Sequence, residues 1–447
     1  MLRKIKTFLI ILVAIAILVS MAGCGGSATN KDADSTSKDT TQTSDSGKQQ
    51  QTVIKFLHKW PEAERMPYWE DVVARFEKEN PDIKIQMEAV ADEPIKEKLR
   101  VMLGGGSVPD VFFTWAGEFL NKFVKAGAAM DITSYLDKDP EWKNSFIESL
   151  LLSGASGGKQ YGIPIRVSAK FFIYNLEKFK EAGLEPPKTW DEFINICETF
   201  KQKGEIPLLL GNQAPWASCH YLTTFNAKLV PEDVWRKDYQ PANGEFTHPG
   251  YVEALKLLQD LYNKGYFNDA PNSTTHQQTR EMFYTGTGAM IYDEMPNFKL
   301  RYETNMPGKW GFFICPPIEG AEGNQNLVTG DPDMFVVSSK CENPEAAIRF
   351  LKFVTNMENS QKLCAELGFQ SCVKGAVNES NSLPQVIEAM NIIAESDGLT
   401  GWLDTAMEAS VVDKYLANLQ QLFDGKSPEA IISEVQKEAA RVAKEYK

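Results

Sequence analysis

Between residues 52 and 115 the hydrophobic period switches repeatedly between two and 3.6. Thr52 to Leu57 is a β-rich run, and Tyr68, Trp69, Val72, Val73 and Phe76 then share one helical face. Ile83, Ile85 and Met87 alternate as a half-buried strand does, and Ile95, Leu99, Met102 and Leu103 return to helical spacing until Gly104-Gly105-Gly106 stops them. A third strand follows in PDVFFTW, residues 109–115. Strands separated by helices, with no hairpin turn between them, pair in parallel and carry the helices on the faces of the sheet. The pattern resumes after Tyr161-Gly162-Ile163-Pro164, with strands predicted at Lys170–Tyr174, Ile206–Leu210 and Gly288–Tyr292 and a capping box at Thr189-Trp190-Asp191-Glu192. Beyond Asn343 the pattern is almost wholly helical, broken at Gly368, Gly375 and Pro384. At 447 residues the chain exceeds one compact core, so two α/β lobes and a helical C-terminal third are expected.

The N-terminus stands outside that pattern. Arg3, Lys4 and Lys6 precede an uncharged apolar stretch that ends in Ser20-Met21-Ala22-Gly23-Cys24, the layout of a secretory signal. Residues 1–23 are expected to be cleaved, and the site resembles a bacterial lipobox, which implies lipid on Cys24. Residues 25–51 hold no aromatic and no aliphatic larger than Ala. Such a segment cannot bury enough surface to offset its ordering entropy, so 24–51 is read as a lipidated Cys and a disordered tether, with a coil span of roughly 30 Å. The expected picture is a body held just outside a membrane by Cys24.

Formal charge is −13; residues 1–51 carry six basic and four acidic side chains, which leaves −15 on the remainder. That body has no electrostatic footprint for nucleic acid. Cys197, Cys219, Cys315, Cys341, Cys364 and Cys372 form no CxxC, so neither a metal nor a cofactor is expected. Cys364 and Cys372 are the pair closest in sequence for one disulfide, and buried thiols are the alternative. Gly154-Ala155-Ser156-Gly157-Gly158 satisfies GxSxG, but a nucleophile elbow needs a strand before it and a helix after it, and the flanking patterns are the reverse. No HExxH, phosphate loop or dinucleotide fingerprint is present. No catalytic residue is assigned; Glu118, Asp293 and Asp331 are the carboxylates from which a glycosidase pair would have to come.

Six phrases occur in an order that resembles the family 1 extracellular solute-binding proteins of ABC transporters, the group that includes maltose-binding protein. They are GGGSVPDVFFTW, MDITSYL, YGIPIRVSAKFFIYN, EAGLEPPKTWDEF, FYTGTGAMIYDE and WGFFICPPIEG, preceded by the lipobox and tether. The resemblance spans 52–447 and implies a class II periplasmic-binding-protein-like fold. Two lobes, each a mostly parallel sheet flanked by helices, would close about a hinge over a ligand, commonly a carbohydrate, and deliver it to an ABC permease. The lobes are expected to be 52–166 plus 318–370 and 167–317 plus 371–447, with crossings near 164–168, 316–327 and 371–380. A monomeric receptor, not an enzyme, follows. Receptors of the same fold for a polyamine, a peptide or an organophosphate are the alternatives, and the acidic body favours the polyamine among them.

Sugars offer C–H faces to aromatic rings and hydroxyl rims to planar polar groups, and in open α/β lobes such groups lie at the carboxyl ends of strands. Trp115 and Glu118 leave the third strand in that arrangement. Trp216, after the strand at Ile206–Leu210, repeats it, with His220 one helical turn on. The resemblance adds Tyr292 and Asp293 at a strand end, Trp402 in SDGLTGWLDTAME, and His58 and Trp60 after the first strand. Arg166 is expected to fork onto hydroxyls or a carboxylate at the crossing, and Asp331 to enter where the chain rejoins a strand. Trp115→Ala is expected to weaken binding while leaving the melting temperature of the free protein nearly unchanged.

Overall fold

The structure is a computed structural model, and it describes residues 51–446. The signal segment, Cys24 and the tether lie outside the described residues. Ten strands form one sheet. They are β1 (Thr52–His58), β2 (Ile83–Ala89), β3 (Val111–Trp115), β4 (Gly162–Asn175), β5 (Ile206–Leu209), β6 (Gly288–Glu294), β7 (Trp310–Phe313), β8 (Val328–Val337), β9 (Gln370–Ser371) and β10 (Leu399–Thr400). The main path runs β2-β1-β3-β8-β4-β6-β5.

The helix-separated strands pair as their spacing requires. β1 lies parallel to β2 from Thr52↔Ile83 to His58↔Ala89 and parallel to β3, and β5 lies parallel to β6. Helices Met66–Glu79 and Asp92–Gly104 are the crossovers on the first side. In the second half Thr189 accepts from the Glu192 amide to open helix Trp190–Gln202, while the Glu192 carboxylate takes the Lys188 amide rather than that of Thr189. The sequence pattern predicts mostly parallel pairing, and the middle of the sheet departs from it: β8 is antiparallel to both β3 and β4, and β4 is antiparallel to β6 and β7. These two strands carry the chain from one half of the sheet to the other, so each runs against its neighbours on the main path; only the short β10 lies parallel to β8.

β4 is buried along all 14 of its residues. Its first half pairs with β8 and its second half with β6 and β7. Two apolar cores flank the crossing. One joins Phe56, Trp69, Phe112 and Val167 to Met334, Phe335 and Phe350. The other joins Phe172, Phe193, Leu222 and Tyr292 to Leu327, Leu403 and Tyr415. A smaller cluster around Phe171, Phe298 and Trp310 packs on the opposite face of the second half of the sheet. These two cores make the molecule two-lobed.

Gly154–Gly158 forms neither a helix nor an elbow. Ala155–Ser156 and Lys159–Gln160 are a two-stranded hairpin, and Gly157 and Gly158 turn it with φ of 56° and 78°, the left-handed pair a tight I′-type turn needs. The cysteines among the described residues are all free, Cys364 and Cys372 included, so the buried-thiol alternative is the one realised. Among the described residues no helix is long and apolar enough to cross a membrane.

Candidate functional site

A cavity of about 160 Å³ lies between the two cores, walled by Trp60, Trp115 and Trp402 from the first and by Trp216, packed on the second. Strand ends build it. Lys59 and Trp60 follow β1, Trp115 closes β3, Glu294 closes β6, and Arg166 and Asp333 face each other where β4 meets β8. The register of that pair slips between Asp333 and Met334: Asp333 opposes Arg166, whereas Met334 opposes Pro164. A bulge of this kind bends the strands and re-aims side chains. Here Arg166 Nε donates to Asp333 Oδ2 at 2.6 Å, and Lys59 Nζ is 3.2 Å from Asp333 Oδ1.

Of the residues singled out from sequence, the structure brings Trp60, Trp115, Arg166, Trp216 and Trp402 to this cavity, with His220 among them. Trp216 is the half-buried one; its ring is edged by His276 at 4.7 Å and His220 at 5.3 Å. His220 stacks on Trp402, with centroids 4.5 Å apart. Burial, with Lys170 nearby, lowers the His220 pKa against the opposing pull of Asp404. Trp60 is only 1% exposed. One side is stacked on Trp69 at 5.1 Å with the planes 3° apart, and the Arg166 guanidinium sits 5.2 Å from its ring. Trp115 is 5% exposed, with Phe113 and Phe119 edge-on and the ammonium groups of Lys59 and Lys96 at 4.7 and 5.3 Å. It therefore belongs to the core as well as to the wall, and the expectation that Trp115→Ala leaves stability untouched does not hold.

The other five are elsewhere. His58 is fully buried against Phe56 and Trp69, because it continues the inward side of β1. Glu118 starts helix Glu118–Lys125, pairs with Lys125 and lines a neighbouring cavity instead. Tyr292 faces the second core, its hydroxyl 2.7 Å from Thr224 Oγ1 and its ring on Phe172 and Tyr221. Asp293 points to the other face of β6, where Arg280 donates to it twice, at 2.7 and 2.9 Å, and the Tyr302 hydroxyl donates at 2.5 Å. Burial pushes the Asp293 carboxyl up, but the Arg280 and His276 charges outweigh it and hold it well below the carboxylate range. Asp331 is buried beside Gly401, and burial, with Asp333 close by, raises its pKa far above normal. Of these three carboxylates, Glu118 is paired with Lys125 and Asp293 with Arg280.

Sequence reasoning missed most of the charged wall. Arg65 lies on the loop after β1, Arg280 on helix His276–Tyr284, Arg301 on the single turn Phe298–Glu303, and Asp404 two residues past Trp402. Asp404 was legible as an acid close behind a tryptophan, two residues past Trp402 where Glu118 stands three past Trp115. Its carboxyl is 3.1 Å from Lys96 Nζ and 3.6 Å from His220 Nε2. Burial would raise its pKa, and the Lys96 and His220 interactions lower it instead. Lys96 and Asp404 also line a second cavity of about 290 Å³ beside the first. Among the described residues no group of His, Cys, Asp and Glu could hold a metal ion.

The family model of the bacterial extracellular solute-binding proteins matches residues 59–361. The chain belongs to that family. As a member it is extracytoplasmic, and the family is one of binding proteins. It is similar to the multiple sugar-binding protein of Streptococcus mutans, 26% identical over 351 residues that cover 74% of this chain and 77% of the relative. The arabinooligosaccharide-binding protein of Bacillus subtilis is 25% identical over 314 residues, 68% of this chain and 69% of its own. A solved chitin oligosaccharide binding protein superposes with a TM-score of 0.80 at 24% identity, over 88% of this chain and 99% of that one. The solute-binding fold is thereby shared along nearly the whole described body.

Proposed function

We propose that this solute-binding protein captures a carbohydrate between its two lobes and delivers it to an ABC-type import permease, without catalysing any reaction. The observation that carries the reading is the cavity between the cores, where tryptophan surfaces stand beside planar charged groups able to fork onto hydroxyls. The sugar-binding names of the relatives support it. Trp115, Trp216, Trp402, Arg166 and Trp60 are the contacts proposed among those read from sequence. Lobes of 52–166 with 318–370 and of 167–317 with 371–447 are proposed in outline; the core division supports them in part, since Ile318 and Leu327 pack with the second side while Val167, Cys372, Val373, Ala376 and Trp402 pack with the first. Ligand contact with both lobes would stabilise closure, and the permease would read the closed form.

A polyamine is disfavoured. Although the body is acidic, six cationic side chains line the cavity against five carboxylates. We further propose that Cys24 carries the lipid anchor, with acyl chains such as palmitate, and that the receptor is a monomer; mass spectrometry of the N-terminal peptide and light scattering test these. The main test is a thermal-shift screen of the full chain, in detergent, against mono- and oligosaccharides with polyamines, dipeptides and phosphate as controls. A ligand at 100 times its Kd adds about 2.7 kcal/mol. Shifts confined to the controls refute the carbohydrate reading.

A further inference from the structure

The cations around the cavity are not fully used by the protein. Arg65, Arg166, Arg280 and Arg301 all line it. Arg280 is spent on Asp293. Of the other three, Arg65 has two internal partners, Asn297 and the Glu62 carboxylate at 3.6 Å, Arg166 and Arg301 have one each, and every one of them keeps an idle donor. Arg65 Nη2 donates to Asn297 Oδ1 at 3.2 Å, Arg166 Nε to Asp333, and Arg301 Nη2 lies 2.6 Å from Glu64. Arg65 Nε, Arg166 Nη1 and Arg301 Nε are buried without an acceptor. Lys170 Nζ is buried too, 3.7 Å from Glu294 and 5.2 Å from the Trp216 ring, and has no hydrogen bond. Arg65 and Arg166 are 7% and 3% exposed.

Buried guanidinium donors left unpaired are costly, and repulsion among neighbouring cations adds to the cost. Burial pulls the Arg65 pKa down to about 10, Glu62 opposes the fall, and the charges of Arg166, Arg301 and Arg280 deepen it. An arrangement that holds several cations together with spare donors is complementary to an anion with several acceptor oxygens. Neutral hydroxyls would satisfy the donors, and an anion would in addition balance the excess of one cation over the carboxylates of the lining. The aromatic wall, with Trp216 and the Trp402–His220 stack, still requires a C–H face.

We infer that the ligand is an acidic carbohydrate, with its anionic group held by Arg65, Arg166 and Arg301 and its ring against the tryptophan wall. This rests on the carbohydrate-receptor reading and narrows it. The anion can be a uronate carboxylate or a sugar phosphate, since both offer coplanar or clustered oxygens to forked donors.

Calorimetry on the full chain tests it with D-galacturonic and D-glucuronic acids and their di- and trisaccharides, with galactose and glucose oligomers as neutral counterparts. Glucose 6-phosphate and inorganic phosphate form the remaining arms. An acidic sugar is expected to bind at least about tenfold more tightly than its neutral counterpart. The arm that binds, uronate or phosphate, names the source of the charge. Arg301→Gln, the most exposed of the three and the one least needed for folding, and Arg65→Gln should each erase most of that ratio, while Arg301→Lys keeps part of it. Neutral oligomers binding as tightly as acidic ones, or a ratio unchanged in both Gln variants, would overturn the inference and leave the receptor reading standing. Binding of inorganic phosphate or dipeptides with no carbohydrate bound would overturn both.

Discussion

Acidification separates a core His58 from a ligand-binding one. The imidazole is fully buried and lies 5.0 Å from the Trp69 ring. Its Nδ1 accepts the Trp60 amide at 3.2 Å, so the proton sits on Nε2, which has no partner. Burial lowers its pKa from 6.5 to about 3. A lowered folded pKa means that the unfolded chain takes up a proton below pH 6.5 while the native chain does not. The stability that the neutral ring contributes is therefore complete above pH 6.5 and drains away as pH falls toward 3. Each pH unit in that window costs about 1.4 kcal/mol, so the step from about pH 6.5 to about 4.5 removes roughly 2.7 kcal/mol. His58→Phe keeps a flat ring between Phe56 and Trp69, abolishes the titration, and deprives the Trp60 amide of its acceptor at a cost of about 1–3 kcal/mol. Urea unfolding, followed by tryptophan fluorescence across this pH range, should show the variant losing about 2–3 kcal/mol less than the parent on acidification. His276, lowered by burial to about 4, and His220 titrate in both proteins and cancel in the difference. Equal acid sensitivity in the two proteins would refute the argument, and a lost ligand response in His58→Phe would return the residue to the site.

The tryptophans should divide by burial. Trp216→Ala should raise the ligand Kd at least about tenfold, roughly 1.4 kcal/mol, with a small change in melting temperature, whereas Trp115→Ala should also cost about 3–5 kcal/mol of stability; differential scanning calorimetry beside calorimetric titration distinguishes them. Asp293→Asn leaves Arg280 buried without its counter-charge and should destabilise by about 3–5 kcal/mol, read by chemical unfolding. Gly330 lies on β8 where an added Cβ would come within 2.3 Å of the Ser168 carbonyl on β4. Gly330→Ala should therefore cost at least about 1–3 kcal/mol and loosen amide protection along β4 and β8 in hydrogen exchange.

Local period and turn chemistry carried the outer strands and their crossover helices, because a helix between two strands leaves few pairings to choose from. The antiparallel middle was invisible for a related reason. β8 is a continuous buried run, and nothing in VTGDPDMFVV says which neighbour it will run against. The site divided similarly. Trp115 and Trp216 announced themselves as large rings at strand ends, where a core needs none. Asp293 and Glu294 stood side by side in the sequence, and the two-residue alternation of β6 sends the second to the cavity and the first to Arg280. A one-residue ambiguity thus exchanged a binding candidate for a structural one. Arg65, Arg280 and Arg301 are separated by more than 200 residues at the extremes, and only the closed sheet assembles them.

The bulge where Arg166 meets Asp333 has a mechanical consequence. It lies where the chain crosses between the lobes, and it is also part of the cavity wall. In any rotation, displacement grows with distance from the axis, so a fulcrum barely moves while the ends of the arms sweep far. A ligand oxygen docked at Arg166 can hold its place in the open and closed forms alike. Trp115, paired directly with Asp333 across β3 and β8, shares the small motion of the pivot, whereas Trp216, packed on the second core, belongs to the part that sweeps. The pivot then works as an anchor that the ligand finds before the jaws shut, and a cargo too short to reach from fulcrum to jaw would be held without ever drawing them together.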